Sequence, residues 1–255
     1  MTAHRFAGRD GLELACSETG TGRPLILLSG FMGTGPQWLE YGHAGTLVER
    51  GYRLILPDFR GHGQSARPQD SAAYPPDVLA DDGLALIEHL GFSDGDYDLG
   101  GYSLGGRIVV RMLARGAKPG RAIVAGQGLA KVSGEQGGGV NRRALTALVD
   151  GVELELGSPE ARMANWASQL GADPRALLGV LDSLVPTPEA ELRRITVPTL
   201  VAIGDQDERS DADELAALLP NAQYVRVPGG HGDTFTTPGL TATIAEFLAN
   251  EPGGA

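Results

Sequence analysis

The chain predicts an α/β fold: a mainly parallel, doubly wound sheet with helices on both faces and a small helical lid inserted before the last strands. Three observations point there. Short apolar runs alternate with stretches of helical spacing along most of the chain. The run Leu25-Ile26-Leu27-Leu28 is apolar at every position, as a strand buried on both faces requires. Finally, Asp98-Leu99-Gly100-Gly101-Tyr102-Ser103-Leu104-Gly105-Gly106 passes from strand to helix with no loop residues between. Right-handed crossovers then place every parallel strand's C-terminal end on one rim, where ligands bind.

The elements follow in order. Residues 5–19 alternate weakly around Gly8-Arg9-Asp10-Gly11, whose Asp-Gly reads as a hairpin turn. Pro24 precedes the run at 25–28, which ends in the glycine-rich loop Ser29-Gly30-Phe31-Met32-Gly33-Thr34-Gly35-Pro36. Residues 37–50 read as a helix with Trp38, Tyr41, Leu47 and Val48 apolar. Tyr52 to Asp58 is a strand, followed by the loop Phe59-Arg60-Gly61-His62-Gly63-Gln64-Ser65. The stretch 77–91 is helical with Val78, Leu79, Leu86 and Leu90 inward, and Gly91 closes it. After the strand-to-helix junction, Ala122-Ile123-Val124-Ala125 is one more strand.

The alternation then breaks. From Leu129 onward come a glycine-rich stretch at 134–139, expected to be flexible, and three helical pieces punctuated by Pro159, Pro174, Pro186 and Pro188. Residues 129–191 are therefore assigned to the helical lid over the rim, and 1–128 with 192–255 to the core. Strand character resumes at Val197 to Ile203, a helix runs from Asp213 to Leu219, Tyr224 to Val227 is the last strand, and residues 238–249 form a closing helix.

Composition narrows the function classes. A chain of 255 residues buries a full core. Its net charge of −11, without a basic run, argues against nucleic acid or an anionic membrane as partner. Cys16 is the lone cysteine, so no internal disulfide forms. No apolar stretch suits a signal peptide or a membrane span, and a cytoplasmic location is expected. Neither zinc-spaced ligands nor a phosphate loop with lysine occurs, so no cofactor is expected. Monomer and homodimer both stay open.

The strand-to-helix junction carries the chemistry. Turning on Ser103 pushes its backbone to positive φ and brings Gly101 and Gly105 into close approach. The Ser103 hydroxyl then stands at a strand tip and a helix N-terminus, where free N–H groups favour negative charge. A serine needs a base. Of five histidines, His4 lies in the N-terminal segment, His43 and His89 sit within helices, and His62 belongs to a turn. His231, in Pro228-Gly229-Gly230-His231-Gly232-Asp233 directly after the last strand, is the expected base. An acid must fix its tautomer. Asp205 and Asp207, after the strand ending at Ile203, both qualify by spacing, whereas Gly126 and Gln127 leave no carboxylate after the preceding strand.

Five motifs in order now fit one pattern: Gly30-Phe31, Asp58-x-Arg60-Gly61-His62-Gly63-x-Ser65, Gly101-Tyr102-Ser103-Leu104-Gly105-Gly106, Gly204-x-x-Asp207 and Gly230-His231. Over nearly its whole length the chain resembles the α/β-hydrolase superfamily, close to its lid-bearing serine esterase and lactonase branch. The resemblance implies Asp207 as the acid, with Ser103 and His231 completing a catalytic triad. It also implies an oxyanion hole from the amides of Leu104 and Phe31. Ser29 departs from the pattern, since histidine commonly precedes this glycine. The expected pocket lies among Phe31, Met32, Trp38, Tyr102, Leu104 and the lid residues Met163, Trp166 and Leu181. Hydrolysis of a small, partly apolar ester or lactone through an acyl-enzyme is the expectation. A thioesterase or C–C hydrolase using the same triad, and a non-hydrolytic small-molecule binder, are the alternatives.

Overall fold

The computed structural model describes residues 1–134 and 139–250, so residues 135–138 of the stretch expected to be flexible lie outside the described residues. The chain opens with strands β1 (Thr2–Ala7), β2 (Glu13–Thr19) and β3 (Arg23–Leu28), helices α1 (Gln37–Glu40) and α2 (Gly45–Glu49), and strand β4 (Tyr52–Pro57). Helix α3 (Val78–His89), strand β5 (Asp98–Tyr102), helix α4 (Leu104–Ala114) and strand β6 (Ala122–Ala125) follow. Between β6 and the next strand lie α5 (Leu129–Ser133), α6 (Val140–Asp150), α7 (Pro159–Gln169), α8 (Pro174–Asp182) and α9 (Glu189–Leu192). The chain closes with β7 (Thr199–Gly204), α10 (Ala212–Leu218), β8 (Ala222–Val227), α11 (His231–Thr236) and α12 (Pro238–Ala249).

The eight strands form one sheet in the order β1-β2-β4-β3-β5-β6-β7-β8. Strands β4 to β8 and β3 are mutually parallel, while β1 and β2 join antiparallel at one edge. Side chains alternate across the sheet, as a period of two requires. Ile26, Leu28, Ile55, Val124 and Val201 face α3, α4 and α10, in a cluster with Leu79, Val109 and Leu215. Leu25, Leu27, Leu54, Leu56, Ile123 and Leu200 face the opposite layer with Trp38, Leu47 and Ile244. Each fully buried leucine or isoleucine contributes about 1.5–3 kcal/mol. The two apolar faces explain why these strands read as continuous runs.

The helix expected over 37–50 is broken into α1 and α2. Gly42 approaches the Trp38 backbone too closely for a side chain, and His43 adopts a φ of +55°, so helical geometry cannot continue. His43 therefore lies between helices rather than within one.

The segment between β6 and β7 is tied to the core at both ends. Arg107 of α4 donates to the carbonyls of Lys131 and Val185, and Thr187 N–H donates to Val132 O at 2.9 Å. Above the rim, Met32 packs with Leu145, Ala167 and Leu177 of α6, α7 and α8, and Leu181 packs partly against that group. Among the described residues no helix is long and apolar enough to cross a membrane.

Candidate active site

Ser103 sits between β5 and α4 with φ +54° and ψ −115°. Only tight packing holds a non-glycine residue there. A Cβ on Gly101 would meet the Gly105 carbonyl carbon at 2.3 Å, so the junction admits no side chain two residues before the serine. At Gly105 the reason differs from the expected one. Its Cβ would meet Leu28 O of β3 at 2.2 Å, so that glycine lets α4 lie against the neighbouring strand. Ser103 N–H donates to Ala125 O at 2.9 Å, and the Gln127 side chain donates to the Ser103 carbonyl. The serine backbone is thus pinned from β6.

His231 opens α11 rather than lying in an irregular loop, and Gly230 precedes it in extended conformation. Its Nε2 lies 2.9 Å from Ser103 Oγ, and its Nδ1 lies 2.7 Å from Asp207 Oδ2. A carboxylate only accepts, so Nδ1 carries the proton and Nε2 presents a lone pair to the serine hydroxyl. The Tyr102 ring stacks on the imidazole at 5.2 Å between centroids, and its hydroxyl donates to the His231 carbonyl. Of the two candidate acids, Asp207 meets the imidazole. Asp205 instead accepts the Gly229 amide at 2.9 Å, closing the turn that delivers His231.

The side chain of Asp207 is fully buried, and its second oxygen, Oδ1, accepts the Arg209 amide at 3.1 Å and the Arg209 guanidinium at 3.0 Å. Burial alone would raise its pKa, but the bond from His231, the Arg209 amide, and the charges of Arg209 and of His231 once it is protonated bring it below the ordinary carboxylate value. The His231 pKa is pushed below the usual 6.5 by burial first and by the Arg209 charge second, against the pull of Asp207. The imidazole is therefore neutral, and able to accept a proton, at neutral pH.

The loop after β3 closes on itself through Gly33 N–H to Gly30 O at 3.0 Å, with Met32 at φ +62°. This is the left-handed third residue of a tight turn. Gly30 lies beside the serine, since a Cβ there would stand 3.6 Å from Ser103 Cβ. Leu104 is the first residue of α4, so its amide has no carbonyl four residues back. Neither that amide nor the Phe31 amide donates to another group among the described residues. Ser29 is buried, and its hydroxyl finds no partner among them.

A cavity of about 570 Å³ opens over Ser103 and His231. Phe31, Tyr102, Met163 and Trp166 line it. Four expected pocket residues lie elsewhere, among them Leu181, which packs partly against the Met32 group instead. Trp38 is fully buried beneath the site, with its indole N–H 3.3 Å from Leu28 O and its ring edge-on to Phe235, so it is a core residue. Met32 is drawn under α6, α7 and α8, and the Leu104 side chain packs into the α3–α4 core while its backbone faces the serine. Gln37, Tyr41, Asn141, Leu170, Arg209, Phe235 and Thr236 line the cavity without having been singled out in the sequence. Leu170, the C-cap of α7, continues the three- and four-residue spacing of Met163 and Trp166, a signal that was legible as one helical face. Among the described residues no group of three or more His, Cys, Asp or Glu side chains is arranged to hold a metal ion.

The remaining histidines are occupied elsewhere. His4 pairs with Glu18, His43 with Thr236 O, and His89 packs on Phe6. His62 is buried among Phe31 and Phe59, with Nδ1 3.0 Å from Arg60 O.

Comparison with known proteins agrees with this architecture. A non-heme haloperoxidase of Rhodococcus erythropolis is 30% identical over 271 residues, covering 94% of this chain and 97% of that protein. An esterase from Exiguobacterium antarcticum superimposes with a TM-score of 0.77 at 21% identity, covering 98% of this chain and 100% of the other. A bromoperoxidase from Bacillus anthracis does so with a TM-score of 0.74 at 24% identity and the same coverage. The family model described as the alpha/beta hydrolase family matches residues 25–244. On these grounds the chain belongs to the alpha/beta hydrolase family.

Proposed function

We propose that the protein hydrolyses a carboxylic ester or lactone of a small, partly apolar substrate through an acyl-enzyme on Ser103. The observation that carries this reading is the continuous chain Asp207 Oδ2, His231 Nδ1, His231 Nε2, Ser103 Oγ, ending on a cavity. In the first step Ser103 Oγ attacks the acyl carbon while His231 Nε2 takes its proton, and Asp207 stabilises the imidazolium. Negative charge collects on the former carbonyl oxygen. The amides of Leu104 and Phe31, unengaged beside Ser103, are suited to receive it, each donor being worth about 3 kcal/mol. His231 then protonates the leaving alkoxide. Water, deprotonated by His231, releases the acid and regenerates the serine.

The substrate class follows from the walls. Phe31, Tyr41, Met163, Trp166, Leu170 and Phe235 supply apolar surface, while Gln37, Asn141 and Thr236 supply a few polar points. On this reading the segment from α5 to α9 serves as the lid, because α7 forms one wall of the cavity. The likeness to a haloperoxidase favours a second reading of the same acyl-enzyme. Hydrogen peroxide in place of water yields a peracid, and the peracid oxidises halide.

The test is a panel of p-nitrophenyl esters, lactones and thioesters, with mass spectrometry of the quenched enzyme and a parallel assay with peroxide, acetate and bromide. An acyl adduct on Ser103 with ester or lactone turnover is expected. Turnover of thioesters alone, or of esters with Ser103 unmodified and dispensable, would refute the reading.

A further inference from the structure

Arg209 has no part in the triad read from the sequence, yet it stands against two of the three members' environment. It follows Asp207 by two residues in the loop after β7, and its side chain lines the cavity while remaining only 16% exposed. One guanidinium nitrogen, Nη1, lies 3.0 Å from Asp207 Oδ1, the oxygen that His231 does not use. Its Nε is buried and has no acceptor among the described residues. The Asp207 side chain is completely enclosed, so solvent screens this ion pair little.

The charged and titratable groups facing His231 are few. From the loop after β7 come Asp207, Glu208 and Arg209, with Glu208 largely exposed and 3.9 Å from the guanidinium. From β5 comes Tyr102, stacked on the ring, and the helix of His231 itself adds Asp233. Arg209 is the sole cation in that group.

We propose that Arg209 is a positioning residue of this triad: it clamps Asp207 Oδ1 so that Oδ2 faces His231, and it sets a fixed positive charge in the cavity wall that His231 shares. The two effects separate cleanly. The clamp acts through a hydrogen bond that any cation of similar reach partly restores. The charge effect disappears only when the cation does. The proposal rests on the assignment of His231 as base, but its primary readout is independent of turnover.

The experiment follows the His231 imidazole by NMR through a pH titration in the wild-type protein, Arg209→Met, Arg209→Gln and Arg209→Lys, with kcat/KM of a neutral p-nitrophenyl ester measured over the same range. Removing the cation should raise the His231 midpoint by about 1 pH unit in both the Met and Gln variants. The acid limb of kcat/KM should move upward by the same amount. Arg209→Lys should keep the midpoint near the wild-type value and recover part of the lost kcat. A His231 midpoint unchanged in Met and Gln, or displaced equally in Lys and Met, overturns the proposal. If instead no variant hydrolyses any ester while the midpoint moves as described, the influence of Arg209 on His231 stands and the hydrolase reading falls.

Discussion

Two loops on the same rim carry the same pair of residues at the same spacing, and each belongs with a histidine. After β4 stand Asp58, Arg60 and His62; after β7 stand Asp207 and Arg209, with His231 arriving from the loop after β8. The first set is structural. Arg60 turns away from its own aspartate and binds Asp82 and Asp10 with two hydrogen bonds each, fully buried. Asp58 accepts the amides of Gly35 and Gln64 at 2.7 Å each, and His62 reaches only a backbone carbonyl. In the second set Arg209 turns back on Asp207, and Asp207 reaches His231, whose far nitrogen meets a serine on a cavity. Residue type and spacing do not make a base. The direction of each side chain and an acceptor-only partner on Nδ1 are what set His231 apart from His62.

The sharpest break of this contrast is at Ser103. Ser103→Ala and His231→Ala should each lower kcat/KM for a short p-nitrophenyl ester by about 10⁵–10⁶-fold. The unfolding midpoint should hardly move, since neither side chain is part of a buried apolar cluster. Next is the pair of aspartates. Asp207→Asn should cost about 10⁴-fold in kcat, because an amide no longer enforces the Nδ1–H tautomer. Asp58→Asn should leave kcat within about tenfold and instead destabilise the fold by about 1–3 kcal/mol, because one of the two amides loses its acceptor and faces an NH2 donor. Steady-state kinetics and urea unfolding of the two variants side by side check both. Equal kinetic losses would erase the distinction between the loops.

The arginines sharpen it further. Arg60→Met removes the partner of Asp82, which is nearly as buried as the arginine itself. An uncompensated buried carboxylate costs about 3–5 kcal/mol, so the urea midpoint should fall strongly while the folded fraction keeps its kcat. Arg209 has one buried partner and a cavity on its other side, so its loss should register in the pH profile before it registers in stability.

How much of this was legible beforehand differs by region for physical reasons. The strands and the junction at Ser103 were readable because burial on two faces and the crowding at Gly101 constrain residue type directly. The histidine at 231 was readable because it follows the last strand, although its seat at the start of α11 was not: six residues are too short to show a helical period. Trp38 misled because an aromatic residue near a glycine-rich loop suits a pocket and a core equally. What decides is its indole N–H, which needed a buried acceptor and found Leu28 O. Arg209 left no signal, since an arginine beside two acidic residues reads as an exposed charge. Its inward turn depends on a carboxylate whose own burial only the assembled sheet creates.

The smallest expected effect is also the most direct comparison of the two histidines. Burial pushes His62 down to about 4, with only the Arg60 carbonyl opposing. Its folded-state pKa lies below the unfolded value of about 6.5, so below pH 6.5 the unfolded chain binds a proton that the folded site refuses. Stability from this group is complete above pH 6.5 and declines as pH falls towards 4, by about 3 kcal/mol in all and about 2 kcal/mol at pH 5. His62→Asn keeps a side-chain donor for the Arg60 carbonyl but cannot titrate. Urea unfolding at pH 7 and pH 5 should therefore show the wild type losing about 2 kcal/mol more than the variant. The acid limb of kcat/KM should be the same in both proteins, because that limb belongs to His231. An acid limb that moved with His62→Asn would mean that the buried histidine communicates with the serine, through Phe31 against which it packs.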